Sequence, residues 1–470
     1  MSQNYSSSVV NDFLHGSKSL NLPCELTIEQ THFSCTKILR LLPRKRLVLQ
    51  AEAEQQQAVL KLFAKANKGE REYNRELRGH QLALASGVNV PQLLTSDDNV
   101  DHCFAIAYQL LDDAESFSAE GVRNKPENIN KLLKMMAKMH EYGIFQDDIH
   151  LDNLMLHRSD VYLIDLGSVK CEHENKPLSK QTSLHNLARL VAQFFPLEQA
   201  EILKLLPTYY QQRQWSWNDD DHYQFVKTLK SVWTKRKLDY LSKCFRNCTM
   251  TTYSHTFSRE YAFRANFLPD NPTELIENIE QLMTTGKMLK AGNSATVVLV
   301  EMAGKQVVIK RYNIKSMWHL LRRTLRMSRA AMSWRNANLL EFINLPTLKP
   351  LGFIEQRMGW FRHTAYFISE YHESVELLDE YQRRQPTNDE LEQINNIFML
   401  MQNSQISHGD LKAQNLLIDD QGKVILIDLD AMQEHRSERQ FYKAFNNDKK
   451  RFLRNWQDLK VKEIFTSLLF

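Results

Sequence analysis

The sequence has no cysteine framework. Its six cysteines stand at 24, 35, 103, 171, 244 and 248 without matched spacings, which suits reduced thiols in the cytoplasm. Cys244 and Cys248, four apart, would share one face of a helix, but zinc needs two further ligands at matching spacing and His255 alone does not supply them. No run approaches the ~18 apolar residues of a membrane-spanning helix. The opening MSQNYSSSVVNDFLHGSKSL lacks a basic segment followed by an apolar core, so no secretory signal is expected. An excess of one charge is missing too. A net charge of +4 is too small for a dedicated nucleic-acid binder of 470 residues, and no zinc, helix-turn-helix or aromatic strand platform points that way. The expectation is a cytoplasmic protein with no nucleic-acid partner.

What the chain does contain is one polar pattern, twice. Residues 408–418 read HGDLKAQNLLI and precede VILIDLDAM; residues 146–156 read QDDIHLDNLML and precede VYLIDLGSV. Each copy has an Asp, an Asn five positions later, and an apolar strand ending in Ile-Asp-Leu. Asp410, Asn415 and Asp428 thus correspond to Asp148, Asn153 and Asp165. Phosphoryl transfer needs this set: one carboxylate to orient an acceptor hydroxyl, and an amide plus a second carboxylate to hold Mg²⁺. Asp410 is the first choice for the catalytic base, with Lys412 placed to neutralise the transferring phosphate, and Asp148 is its counterpart. Asn415, Asp428, Asn153 and Asp165 offer the oxygen ligands that Mg²⁺ prefers.

The length allows two or three domains, and 43% hydrophobic with 25% charged residues describes ordinary globular ones. In the first copy TKILRLLPRKRLVLQAE reads as a hairpin, AVLKLF as the next strand, and KGEREYNRELRGHQLALASG as a helix ending at Gly87. The second copy repeats the order, with GKMLKAGNSATVVLVEMAGKQVVIKRY as three strands. The spacing predicts a first domain over 25–248, a junction over 249–283 marked by Pro269 and Pro272, and a second domain over 284–470. Only about forty residues follow Asp428, so the second helical part must be short.

This plan is α+β: two tandem domains like protein kinases, each with a small β-rich N-lobe and a mostly helical C-lobe. The chain resembles the lipopolysaccharide kinase family (Kdo and heptose kinases), itself distantly similar to protein kinases and aminoglycoside phosphotransferases. The matching stretches are VVIKRYN, SRAAMSWRNANLL, NLPTLKPLGFIE, HGDLKAQNLLI, LIDLDAM and DKKRFLRNW in the second copy. In the first they are KILRLLPRKRLVL, VLKLF, LRGHQLALASGVNVP and the catalytic loop, so that most of residues 30–460 is covered. The resemblance implies ATP and Mg²⁺ as cofactors. It also implies an acceptor hydroxyl on a heptose or Kdo of the lipopolysaccharide inner core, at the cytoplasmic face of the inner membrane.

Each copy departs from the pattern in a different place. Lys310, ending VVIK, would reach the ATP phosphates, and the turn Gly292, Asn293, Ser294 would cradle them, although it has a single glycine. Lys61 matches Lys310, and Glu76 falls where the family places the glutamate that pairs with this lysine. In the second copy that position falls on Ser333, or at best near Arg335. The first copy has no glycine in its phosphate-loop stretch, and His150 replaces the loop lysine, as also happens in aminoglycoside phosphotransferases. The second copy is therefore expected to be the catalyst, and the first a further kinase domain or a regulatory pseudokinase.

Residues 311–340 contain Arg311, Lys315, Arg322, Arg323, Arg326, Arg329 and Arg335 and no Asp or Glu, with Trp318, Leu321, Leu325 and Met332 at helical spacing. A basic amphipathic helix of this kind suits an anionic glycolipid and a peripheral contact with the inner membrane. Two other readings stay open: a protein or small-molecule kinase on the same fold, and a tandem pseudokinase scaffold for envelope assembly.

Overall fold

The computed structural model describes residues 6–66, 68–267, 272–302, 304–313, 327–359 and 361–469. The chain divides into two compact units, Met1–Phe194 with Glu198–Trp233, and Thr234–Phe470 with Phe195–Leu197. Each pairs an antiparallel sheet with a helical part.

The sheet of the first unit is built from β1 (Cys24–Ile28), β2 (Thr31–Leu42), β3 (Arg46–Ala53), β4 (Gln56–Ala64), β5 (Leu93–Val100) and β6 (Cys103–Gln109), in the order β1-β2-β3-β4-β6-β5. Strict alternation in β1, where Cys24, Leu26 and Ile28 face inward, is the period of a strand with one dry face. Lys61 pairs with Val48 on β3 and Ile106 on β6, so it sits on a central strand. The helix Gly69–Ala85 packs against the sheet, and the chain then forms the short strands β7 (Glu115–Ser116), β8 (Ile144–Gln146), β9 (Leu154–His157), β10 (Asp160–Leu163) and β11 (Val169–Cys171). Between β7 and β8 runs the helix Pro126–Tyr142, opened by proline at its first position and closed by Gly143 in the left-handed region. The helices Lys180–Val191 and Pro196–Gln212 bury Leu187, Leu190, Leu206 and Tyr209 against it.

The second sheet has seven strands: β12 (Thr251–His255), β13 (Arg259–Arg264), β14 (Lys287–Ala291), β15 (Ala295–Met302), β16 (Lys305–Tyr312), β17 (Pro350–Met358) and β18 (Phe361–Glu370). Their order is β12-β13-β17-β18-β16-β15-β14. The run β14-β15-β16-β18-β17 repeats β2-β3-β4-β6-β5, and Lys310, between Val297 and Phe367, takes the central place of Lys61. The stretch 249–283 carries β12, β13 and the helix Pro272–Thr285, and its two strands extend this sheet. After it come β19 (Val375–Glu376), β20 (Ile406–Ser407), β21 (Leu416–Ile418), β22 (Val424–Leu426) and β23 (Gln433–Glu434). The helix Asn388–Asn403 opens on a capping box between Thr387 and Glu390, which satisfies two orphan amides. Beyond β23, among the described residues, only the helices Glu438–Leu453 and Leu459–Leu469 follow, closed by the aromatic cluster Phe398, Phe445, Phe452, Trp456 and Phe465.

The single basic helix expected over 311–340 is corrected by this arrangement. Arg311 lies on β16, and the helix runs Arg329–Phe342 behind the N-cap Ser328, whose hydroxyl accepts from the Ala331 amide. Lys315, Trp318, Leu321, Arg322, Arg323, Leu325 and Arg326 lie outside the described residues. The three described arginines are each paired over long range, Arg311 with Glu280, Arg329 with Asp430 and Arg335 with Glu434. No described helix is long and apolar enough to cross a membrane. Cys244 is buried just past the end of the helix Asp219–Lys243, and its backbone carbonyl accepts a bond from Trp334 Nε1 at 3.0 Å.

Trp334 is the largest fully buried side chain of the second unit, tilted against Phe353 with ring centroids 6.4 Å apart. Trp334→Ala is expected to cost about 3–5 kcal/mol, read as a shifted chemical denaturation midpoint; a loss below ~1 kcal/mol would contradict the packing.

Candidate active site

In β16 the buried Val307 and Ile309 alternate with Val308 and Lys310, so Lys310 leaves the sheet on the face opposite its dry neighbours. Its ammonium forms an ion pair with Asp428, the residue that closes the β21–β22 hairpin. Asp428 adopts φ 63° and ψ 56°, left-handed values that are uncommon for a residue with a Cβ. Burial would raise its carboxyl, but the charge and hydrogen bond of Lys310 outweigh this and hold it below the usual carboxylate range. At Asp430 burial wins, and its carboxyl is pushed up.

A ladder of bonds ties Asp428 to the other pattern residues. The Ile427 amide donates to Asn415 O at 2.9 Å, and Asn415 Nδ2 donates to Asp410 O at 2.8 Å. Asp410 lies between two cations, with Lys412 Nζ 3.1 Å from one carboxylate oxygen and Arg451 3.2 Å from the other. Beneath the loop, buried Asp448 accepts from the amides of His408 at 2.7 Å and Gly409 at 3.1 Å, while Arg451 donates to Gly409 O. Gly409 has φ 81°, and a Cβ there would stand 2.7 Å from Ala431 O, so only glycine fits. The turn Gly292–Ser294 is also held: Asn313 donates to Gly292 O at 3.1 Å through its side chain and to Ser294 O at 3.2 Å through its backbone amide, and Arg329 reaches Ser294 O at 3.3 Å.

The first unit places its residues on the same scaffold with different partners. Lys61 meets Glu76 at 2.5 Å and Ile164 O at 3.1 Å, and among the described residues no ion pair reaches Asp165, whose φ is −105°. Asn153 Nδ2 donates to Asp148 O at 3.3 Å, and the Ile164 amide to Asn153 O at 3.0 Å. Asp148 is 73% exposed against 39% for Asp410, and the His150 ring lies 3.5 Å from its carboxylate. Arg189, on the matching helix, is engaged by Asp147 instead. A hydrogen bond from Lys170, with help from Arg189, lowers the Asp147 carboxyl against its partial burial. The turn at the phosphate-loop position is tied to the helix Ser6–His15, with Arg44 donating to His15 O at 3.0 Å and its amide to Phe13 O at 3.1 Å.

The helix register settles which residue stands at the Glu76 position. Gly79 lies against Leu166 O, and Asn336 Nδ2 bonds Leu429 O at 2.8 Å, the two carbonyls that follow the strand-terminal aspartates. Three residues earlier come Glu76 and Ser333, and the Ser333 hydroxyl is bonded to Tyr312 at 2.8 Å rather than to Lys310. Sequence reasoning missed Asp448 and Arg451. Their signal was the i,i+3 spacing of Asp448–Arg451, echoed by Asn186–Arg189, which puts both side chains on one helix face.

Residues 280–464 match the model of the lipopolysaccharide kinase (Kdo/WaaP) family. The family is one of kinases, so ATP is the donor its members use. Among solved structures, the chain is similar to WbdD in a co-crystal with the kinase inhibitor LY294002, at 20% identity and a TM-score of 0.30. That match covers 45% of this chain and 47% of the WbdD chain, so it spans about half of either. No curated protein matches.

The donors of the second unit suit Mg²⁺ better than a softer metal. Asn415 spends its amide nitrogen on Asp410 O, which leaves its oxygen as acceptor, and Asp428 stays ionised. Among the described residues no group of three or more His, Cys, Asp or Glu could hold a metal alone, whereas Mg²⁺ takes one or two protein oxygens and completes its shell with phosphate and water.

In the first unit His140 buttresses β8. Its Nδ1 meets Tyr209 OH at 2.6 Å and its Nε2 meets Asn186 Oδ1 at 3.1 Å, while Asn186 Nδ2 donates to Gln146 O at 2.7 Å. Complete burial pushes its pKa down to about 3. The unfolded chain takes up this proton first, near pH ~6.5. Stability is therefore unaffected above that pH and falls as pH drops from there toward the folded value. Between pH ~6.5 and ~5 the loss is about 2 kcal/mol. Chemical denaturation of the first unit across this range should show that slope, and His140→Gln should flatten it; an unchanged slope contradicts the assignment.

Proposed function

We propose that the chain is an ATP-dependent phosphotransferase whose acceptor is a sugar hydroxyl, on heptose or Kdo, of the lipopolysaccharide inner core, and that its second unit is the catalyst. The observation that carries this reading is the single connected network Lys310–Asp428–Ile427–Asn415–Asp410 within the stretch that matches the lipopolysaccharide kinase family model. Asp410 orients the acceptor hydroxyl and takes its proton as the phosphoryl group moves. Lys412 and Arg451 flank that carboxylate, fix its direction and lie next to the charge that develops on the transferring group. Asn415 and Asp428 hold Mg²⁺, which neutralises phosphate charge, and Lys310 together with the turn Gly292–Ser294 positions the nucleotide. An acceptor of this kind brings the reaction to the cytoplasmic face of the inner membrane.

The first unit, on this reading, is a second domain of kinase-like plan that has moved away from catalysis. Lys61, Glu76, Asn153 and Asp165 keep the pieces of a nucleotide site. The tied turn at Arg44, the exposed Asp148 and the diversion of Arg189 to Asp147 favour a regulatory or scaffolding role over phosphoryl transfer.

The test is a pair of substitutions in a strain whose lipopolysaccharide core is analysed by mass spectrometry. Asp410→Ala is expected to lower core phosphorylation by at least about 10²-fold, with Asp148→Ala leaving most of it. Retention of every core phosphate by Asp410→Ala would rule out the second unit as catalyst; a core unchanged even by deletion would end the lipopolysaccharide reading.

A further inference from the structure

The second unit has lost the glutamate that ties the helix to the strand lysine, yet its helix is not loose. Arg329, in the first turn of the helix Arg329–Phe342, places Nε 2.7 Å and a terminal nitrogen 2.5 Å from the same oxygen of Asp430. The Asp430 side chain is only 8% exposed, so this is a largely dry ion pair of the kind that fixes geometry. The same guanidinium donates to Ser294 O in the phosphate turn at 3.3 Å and lies over the Tyr312 ring at 4.7 Å. Tyr312 in turn bonds Ser333, the residue at the vacated glutamate position. One side chain thus joins the helix, the phosphate turn and the Asp428-Leu429-Asp430 turn.

We propose that Arg329 and Asp430 replace the strand-lysine–helix-glutamate pair with a link of reversed polarity, in which the helix supplies the cation and the metal-binding turn the carboxylate. The exchange has a clear consequence for Lys310. In the first unit the lysine is shared between Glu76 and a backbone carbonyl, whereas in the second its ion pair is with Asp428. Arg329 is then a positioning residue. It keeps Asp428 in its left-handed conformation and holds the turn Gly292–Ser294 at the distance from Asp428 that one Mg²⁺-bound nucleotide must span. The pair also accompanies a second acidic residue where the first copy has Gly167: without Arg329 on the helix, a carboxylate buried at that place would have no ion-pair partner in direct contact among the described residues.

This inference rests on the second unit being the nucleotide site, and binding of a non-hydrolysable nucleotide tests it without any acceptor. Calorimetry with AMP-PNP is run on the full-length chain carrying Lys61→Met, with Mg²⁺ and again in EDTA. Arg329→Ala and Asp430→Asn are each expected to weaken Mg²⁺-dependent binding by about tenfold or more, with a much smaller change in EDTA. The double variant is expected to lose no more than either single one, because the two act as a unit, and Arg329→Lys should recover part of the affinity. Binding by Arg329→Ala within about twofold of the parent, equal losses with and without Mg²⁺, or additive losses in the double variant would each overturn the proposal. Absence of binding in the Lys61→Met parent overturns it together with the choice of catalytic unit. If that parent binds normally but transfers no phosphate to lipopolysaccharide, the proposed acceptor fails and the Arg329–Asp430 link is still judged on the binding ratios.

Discussion

A lysine on the central strand of a small sheet, mostly withdrawn from water, must be given a carboxylate, and much else in each unit follows from which one it is given. In the first unit the carboxylate is Glu76, on the neighbouring helix and almost fully buried. The lysine then pins helix to sheet, and Asp165 is left in an extended conformation. In the second unit the carboxylate is Asp428 itself, held in the left-handed region at the end of its hairpin. Removing one partner from such a pair leaves an uncompensated charge, which costs far more than the pair contributes. The lysine and its partner therefore change together, and the helix must find another tether.

The loop that carries Asp410, like its counterpart with Asp148, has its own constraint: its backbone amides and carbonyls need partners away from the solvent. In the second unit Asp448 accepts two loop amides and Arg451 caps a loop carbonyl, an arrangement that requires glycine at 409. In the first unit Asn186 donates to Gln146 O instead, His140 and Tyr209 support the amide, and Asp147 occupies the place of the glycine. Asp147 then captures Arg189, and Asp148 is left to water and His150. A single substitution in the loop thus redirects the cation that in the second unit flanks Asp410.

Much of this was legible in the sequence. The strands around Lys61 and Lys310 follow from alternation bounded by turn residues, and the helices before each catalytic loop from their period and caps. The motif residues Asp410, Asn415 and Asp428 could be named because a repeated polar pattern flanking apolar strands has few other meanings. Arg329, Asp430, Asp448 and Arg451 could not be given roles, because each acts on a partner dozens of residues away. The basic run 311–340 misled for the same reason. A lack of acidic residues nearby says nothing of Glu280, Asp430 and Glu434, which the fold brings to three of its arginines.

The central claim, that the second unit moves phosphate from ATP to a core sugar, is tested most directly by reconstitution. Full-length protein, Mg²⁺ and γ-labelled ATP are incubated with purified inner-core lipopolysaccharide stripped of its phosphates, and the labelled product is located by fragmentation mass spectrometry. The account predicts stoichiometric label on one heptose or Kdo hydroxyl, dependent on Asp410. Label confined to protein, or ATP left intact in the presence of that acceptor, would contradict it.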